Sequence, residues 1–139
     1  MKSLYAVIIM SMLVWACAPT SRLVTPPASN VIDLSQNDDK DEYEVSVLDP
    51  GFETWFATTW NLSKDRSVNY YAHWNQTYVS AWNYKVTQPG SAGFFENTIQ
   101  YDPTIDYGIE VERKLYYYFR WVDTKLGIPI LDSPPPGAI

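Results

Sequence analysis

The chain has 139 residues and a formal charge of −6; 46% of its side chains are hydrophobic and 16% aromatic, with one Cys and one His. That length suits a single domain, and one thiol with one imidazole excludes a Cys/His zinc site, a disulfide framework or a Cys-His dyad beside a metal, so neither metal nor cofactor is implied. The acidic balance argues against nucleic acid as a partner, because that affinity comes mainly from cations that neutralise phosphates.

The first segment reads as an address. Met1 and Lys2 precede an apolar run from Leu4 to Trp15, twelve residues against the roughly 20 that a membrane-crossing helix needs. Leu13-Val14-Trp15-Ala16-Cys17 resembles a bacterial lipobox, with Trp15 bulkier than that motif usually carries. Residues 1–16 are therefore expected to be a lipoprotein signal peptide and Cys17 the lipid attachment point. Acyl chains contribute about 0.8 kcal/mol per buried CH₂, enough for two or three chains to anchor stably. Ala18 follows in place of Asp, with no acidic run directly behind the cysteine; the resemblance to sorted lipoproteins then implies the outer membrane, with the protein facing the periplasm.

Residues 17–42 are expected to be the lipidated cysteine and a disordered tether. Pro19, Pro26, Pro27 and the run Asp38-Asp39-Lys40-Asp41-Glu42 have the composition of a solvated linker. Such a linker would hold the domain on the order of 25 to 30 Å from the membrane, or up to about 85 Å when pulled straight. Asp33, Ser35, Asn37, Asp39, Asp41 and Glu44 have the spacing of a calcium-binding loop. The match fails at Asp38, where the turn needs Gly, and at Lys40, which adds a positive charge.

A compact domain is expected over residues 43–131: mainly α (α+β), with about three helices and a short β element of two strands. Tyr43, Val45 and Val47 alternate as in a strand with one covered face; Ile128-Pro129-Ile130-Leu131 is its expected partner, with Pro129 confining it to an edge. Asp49-Pro50-Gly51 reads as a turn, or as the start of a first helix with Asp49 as cap and Pro50 at its first position; Phe52, Trp55, Phe56 and Trp60 then suit a short amphipathic helix ending near Asn61. Val68, Ala72, Asn75, Val79, Trp82 and Val86 recur at helical spacing between Ser67 and Thr87, and Gln88-Pro89-Gly90 stops the run. Phe94 and Phe95 are expected to plug the core. Asp102-Pro103 should begin the last helix, where Ile105, Ile109, Glu112, Leu115, Phe119, Val122 and Leu126 keep the period up to Gly127. Residues 132–139 read as a flexible tail.

Three segments carry a family resemblance: Val47 through Trp55, Tyr78 through Tyr84, and Tyr101 through Gly108. They resemble a family of small lipoproteins from Bacteroidota bacteria described only as a domain of unknown function. The resemblance covers roughly residues 43–131 and implies an envelope setting without an activity or a catalytic residue.

No catalytic constellation stands out. Asp106 and Glu110 could form an acid and base pair, but charge at a helix start offsets the dipole, and Glu110 with Lys114 has the spacing of an ordinary ion pair. The feature out of proportion is aromatic. Beyond the signal segment the chain holds twenty aromatic residues, all between Tyr43 and Trp121. At roughly 150 to 250 Å² each they would bury some 3,000 to 5,000 Å², a third to a half of what a domain of about 10 kDa buries on folding. Tyr116-Tyr117-Tyr118 point about 100° apart on a helix, so at least one ring should lie near the surface.

The expectation is a noncatalytic envelope lipoprotein, tethered to the membrane by its lipid, that binds another envelope protein through an aromatic surface. The alternative is a glycan-binding or glycan-modifying module. Trp55, Trp74, Asp106, Glu110, Tyr117 and Trp121 are the candidate ligand or partner surface.

Overall fold

The structure is a computed structural model that describes residues 32–37, 42–47, 49–90 and 93–136. Residues 1–31, which carry the expected signal peptide and lipid attachment at Cys17, lie outside the described residues, as do 137–139. Among the described residues the chain forms two strands, β1 (Ile32–Asn37) and β2 (Glu42–Val47), and three α-helices, α1 (Pro50–Thr59), α2 (Val68–Val86) and α3 (Gly108–Trp121). A π-helical turn, Val122–Leu126, extends α3 and ends at Gly127 with φ 68°, a left-handed cap that glycine adopts without a steric cost.

The mainly helical architecture with a two-stranded sheet is as the sequence indicates; the strand pairing is not. β2 pairs antiparallel with β1, in the register Ile32 to Val47, Leu34 to Val45 and Gln36 to Tyr43. Residues 128–131 form no strand. The alternation decides the pairing: Ile32 and Leu34 turn to the same side as Tyr43, Val45 and Val47, all packed in or against the core, while Asp33, Ser35 and Glu44 are exposed. The fold thus includes Ile32–Asn37, which composition alone assigns to the tether. At the other end Ile130 is buried, its amide donating to Asp123 Oδ1 at 2.8 Å. Pro135 is also buried and accepts from Arg120 Nη1 at 3.4 Å, so residues 132–136 lie on the body of the fold.

The first two helices start where their caps place them. Asp49 Oδ1 accepts from the amides of Gly51 and Phe52 at 2.8 and 3.3 Å, and Ser67 Oγ accepts from the Tyr70 amide at 3.3 Å. The third starts later than expected. Asp102 closes a local turn by accepting from the amide and hydroxyl of Thr104, at 2.8 and 2.7 Å. Gly108 has φ 79°, a left-handed step that keeps Pro103 and Ile105 out of the helix.

α3 is the centre of the molecule. Phe52 of α1 meets Tyr118 and Trp121 while Trp55 and Phe56 meet Tyr117, so α1 runs antiparallel to α3. Asn75 of α2 meets Glu112, and Tyr78 meets Phe119 and Asp123, so α2 and α3 run in the same direction. A parallel pair needs a long return, which residues 87–107 provide. Phe94, Phe95 and Ile99 are buried along it. Trp82 Nε1 and both ends of the Asn83 amide hold its backbone at Asn97 and Ile99.

The tyrosine triplet corrects the surface expectation. Tyr116, Tyr117 and Tyr118 are 7%, 4% and 1% exposed. Their 100° offsets are satisfied by different neighbours: Tyr116 packs on Tyr70 and Tyr71 of α2, Tyr117 on α1, and Tyr118 between Phe52 and Trp82. A helix covered on every side can bury consecutive residues.

Candidate functional site

Two polar residues that share the apolar stripes of α2 and α3 meet inside the protein. Asn75 is fully buried and Glu112 is 2% exposed. Asn75 Nδ2 donates to Glu112 Oε2 at 2.6 Å and to the Glu112 carbonyl at 2.8 Å. The Tyr101 hydroxyl donates to Glu112 Oε1 at 3.0 Å, while Asn75 Oδ1 is buried without a partner. Burial pushes the Glu112 carboxyl above the usual carboxylate range, and the nearby Asp106 charge adds to the rise; the bonds from Asn75 and Tyr101 oppose it. Sequence reasoning placed both residues in the helical rows without reading them as a pair. The available signal was a single polar side chain on each of two otherwise apolar rows.

A second polar cluster joins the turn before α2 to the start of α3. Arg113 grips Asp65 with two bonds, Nε to Oδ1 at 2.9 Å and Nη2 to Oδ2 at 2.6 Å. Its guanidinium lies over the Trp60 ring, 4.9 Å from the centroid, and the Tyr71 hydroxyl donates to Asp65 Oδ1 at 2.7 Å. Arg113 and the Tyr71 hydroxyl bond bring the Asp65 carboxyl down to about 2, against a smaller opposing effect of burial. Both clusters lock helices together.

The six residues expected to form a ligand surface do not share one face. Tyr117 and Trp121 are buried, and the Trp121 ring packs on Phe52 and Tyr118. Trp55 and Trp74 are half-buried, on α1 and α2 respectively. Asp106 and Glu110 are exposed beside the start of α3, where Asp106 Oδ1 accepts from the Gly108 amide at 3.1 Å. Lys114, expected to pair with Glu110, instead reaches Glu53 Oε1 of α1 at 2.8 Å. Among the described residues no three His, Cys, Asp or Glu side chains are placed to hold a metal ion.

What the fold presents to solvent is the outer side of α2. From Ser67 through Tyr84, eighteen consecutive residues carry no Asp, Glu, Lys or Arg. Asn69, His73, Gln76, Ser80 and Tyr84 are exposed along this side at helical spacing, with half-buried Tyr70 and Trp74 beside them. Tyr84 is 66% exposed. The Ser80 hydroxyl donates back to the Gln76 carbonyl at 2.7 Å, and that of Thr77 to the His73 carbonyl at 3.1 Å. Those two donors are therefore satisfied before anything covers them, which lowers the cost of burying this side.

Three segments that resemble an uncharacterised family lie at the β2 to α1 junction, in α2 and before α3, all parts of one packed unit. The chain belongs to the family of unknown function DUF6146. The family model matches residues 4–132, so it takes in the lipobox-like segment together with the strands and helices. No curated protein and no solved structure matches the chain. Among the described residues of this DUF6146 member no helix is long and apolar enough to cross a membrane.

Proposed function

We propose that this DUF6146 member is a noncatalytic envelope lipoprotein of Bacteroidota, anchored through acyl chains on Cys17 in the outer membrane and facing the periplasm. Its small domain binds another envelope protein through the outer side of α2. The observation that carries the binding role is the uncharged run from Ser67 to Tyr84, with exposed Tyr84 and half-buried Tyr70 and Trp74 along it. Depletion of charge together with enrichment in aromatic rings is the compositional mark of an interface core. The surface of a single helix is convex, which suits a protein partner better than an enclosed sugar.

Two experiments test the two halves of this reading. Replacing Gln76 and Ser80 with Glu puts charge on an exposed face, so stability should change by less than about 0.5 kcal/mol. Specific crosslinks in the native envelope should disappear in the same variant. Retention of every crosslink in that variant, or recovery of monomer alone from the unmodified protein, overturns the binding role. Cys17→Ala should leave the precursor unprocessed or release the protein into the soluble fraction. Unchanged processing and anchoring would remove the lipoprotein assignment.

A further inference from the structure

A different surface lies at the end of the molecule where α3 begins. Leu62 is 73% exposed on the 3₁₀ turn Leu62–Lys64 that follows α1, and Ile109 is 38% exposed in the first turn of α3. These are two of the three large hydrophobic residues most exposed among the described residues. The Arg113 to Asp65 pair joins their elements: Asp65 follows the turn that carries Leu62, and Arg113 lies one helical turn after Ile109. That pair is neutral as a unit.

Charge divides the surface into two halves. Lys64 and Arg66, both exposed, flank Asp65 on the Leu62 side. Asp106 and Glu110, both exposed, flank Ile109 on the other side. A surface with a cationic half, an apolar and neutral middle and an anionic half is complementary to its own copy turned by 180°. The chain as a whole is acidic, so most other mutual approaches of two copies meet like charge.

We infer that this end of the molecule is a self-association surface, on which Lys64 and Arg66 of one copy meet Asp106 and Glu110 of a second copy while Leu62 packs beside Ile109. The interface is isologous, so every contact occurs twice about the two-fold axis and a single charge reversal is felt at two places. The Arg66 guanidinium lies over the Tyr70 ring, 5.6 Å from its centroid, so this surface borders the outer side of α2, while Gln76, Ser80 and Tyr84 lie further along that helix.

The test uses two full-length copies with different C-terminal tags, co-expressed and crosslinked in the envelope. Unmodified copies should co-purify, less so as salt is raised. Lys64→Glu with Arg66→Glu in both copies should reduce co-purification about tenfold or more, and Glu110→Lys in both copies should do the same. Asp106 is left in place because it holds the Gly108 amide. One Lys64→Glu/Arg66→Glu copy combined with one Glu110→Lys copy should associate more strongly than either reversed copy does with itself, because one half of the interface then pairs opposite charges in full and the other sets a new cation, beside the retained Asp106, against the new carboxylates. That gain also shows that the reversed copies are folded. Failure of unmodified copies to associate, undiminished association of the reversed copies, or failure of the mixed pair to exceed them each overturns the proposal. The Gln76→Glu/Ser80→Glu variant should still self-associate, which separates this outcome from that of the α2 surface.

Discussion

Asn75→Ala is the most informative perturbation of the interior. Truncation removes a bond to a backbone carbonyl, about 1 kcal/mol, and one to a carboxylate, about 1.5 to 3 kcal/mol. It also removes the buried Asn75 Oδ1, which has no partner, returning about 1 kcal/mol of desolvation cost. The small cavity left behind costs a few tenths of a kcal/mol. The net loss is about 2 to 3 kcal/mol, which lowers the melting temperature of a domain this size by about 10 to 20 °C. The cost should also depend on pH. Glu112 has a raised folded-state pKa, so its stabilising contribution is complete below the ordinary carboxylate range and is lost as pH rises through the folded value. Removing Asn75 takes away a donor that favours the ionised form, which raises that value further. Urea unfolding followed by Trp fluorescence should therefore give a larger loss at pH 8 than at pH 5. In a Glu112→Gln background, with nothing to ionise, the pH dependence of the loss should vanish. A loss below about 1 kcal/mol, or equal losses at pH 5 and pH 8 in the unmodified background, refutes the coupling between Asn75 and Glu112.

Tyr118→Ala should cost about 3 to 5 kcal/mol because its ring is enclosed by Phe52, Trp82 and Trp121, whereas Tyr84→Ala at an exposed site should change stability by less than about 0.5 kcal/mol; chemical denaturation compares them directly. Leu34→Asp places a charge against the core side of the hairpin and should lower stability by about 1 to 2 kcal/mol. No change would mean that Ile32–Asn37 behaves as a linker. Asp65 is held down to about 2 by Arg113, so its stabilising contribution is present above the ordinary carboxylate range and is lost as pH falls from about 4 toward 2. Asp65→Asn should flatten acid unfolding in that window, as read by circular dichroism.

Residues that act through their neighbours in the chain were legible in the sequence. Asp49 and Ser67 cap the first two helices, Gly127 ends the last, and the periodic rows of α2 predict its length to within a residue at each end, because capping and helical period are local properties. Asp102-Pro103 shows the limit of that reading, since the same two residues serve equally well to begin a helix or a turn. What lay beyond the sequence depended on which elements meet. Val45 and Val47 indicate a covered strand, but a strand does not specify its partner, and only the packed structure selects Ile32–Asn37 over residues 128–131. The six candidate surface residues were chosen for chemistry alone, and tertiary structure buries Tyr117 and Trp121 among them.

The sequence by itself determined the helical, aromatic character of the domain and the lipobox-like pattern around its single cysteine, because composition, period and motif spacing need no knowledge of distant contacts. Tertiary structure decided which aromatic rings are core. α3 is enclosed by α1, α2, β2 and the C-terminal segment, so three consecutive tyrosines that cannot share one face are buried against different neighbours. The same enclosure brings Asn75 to Glu112 and leaves the uncharged side of α2 facing solvent. Exposure is a property of the assembled neighbours, and no local pattern in the chain encodes it.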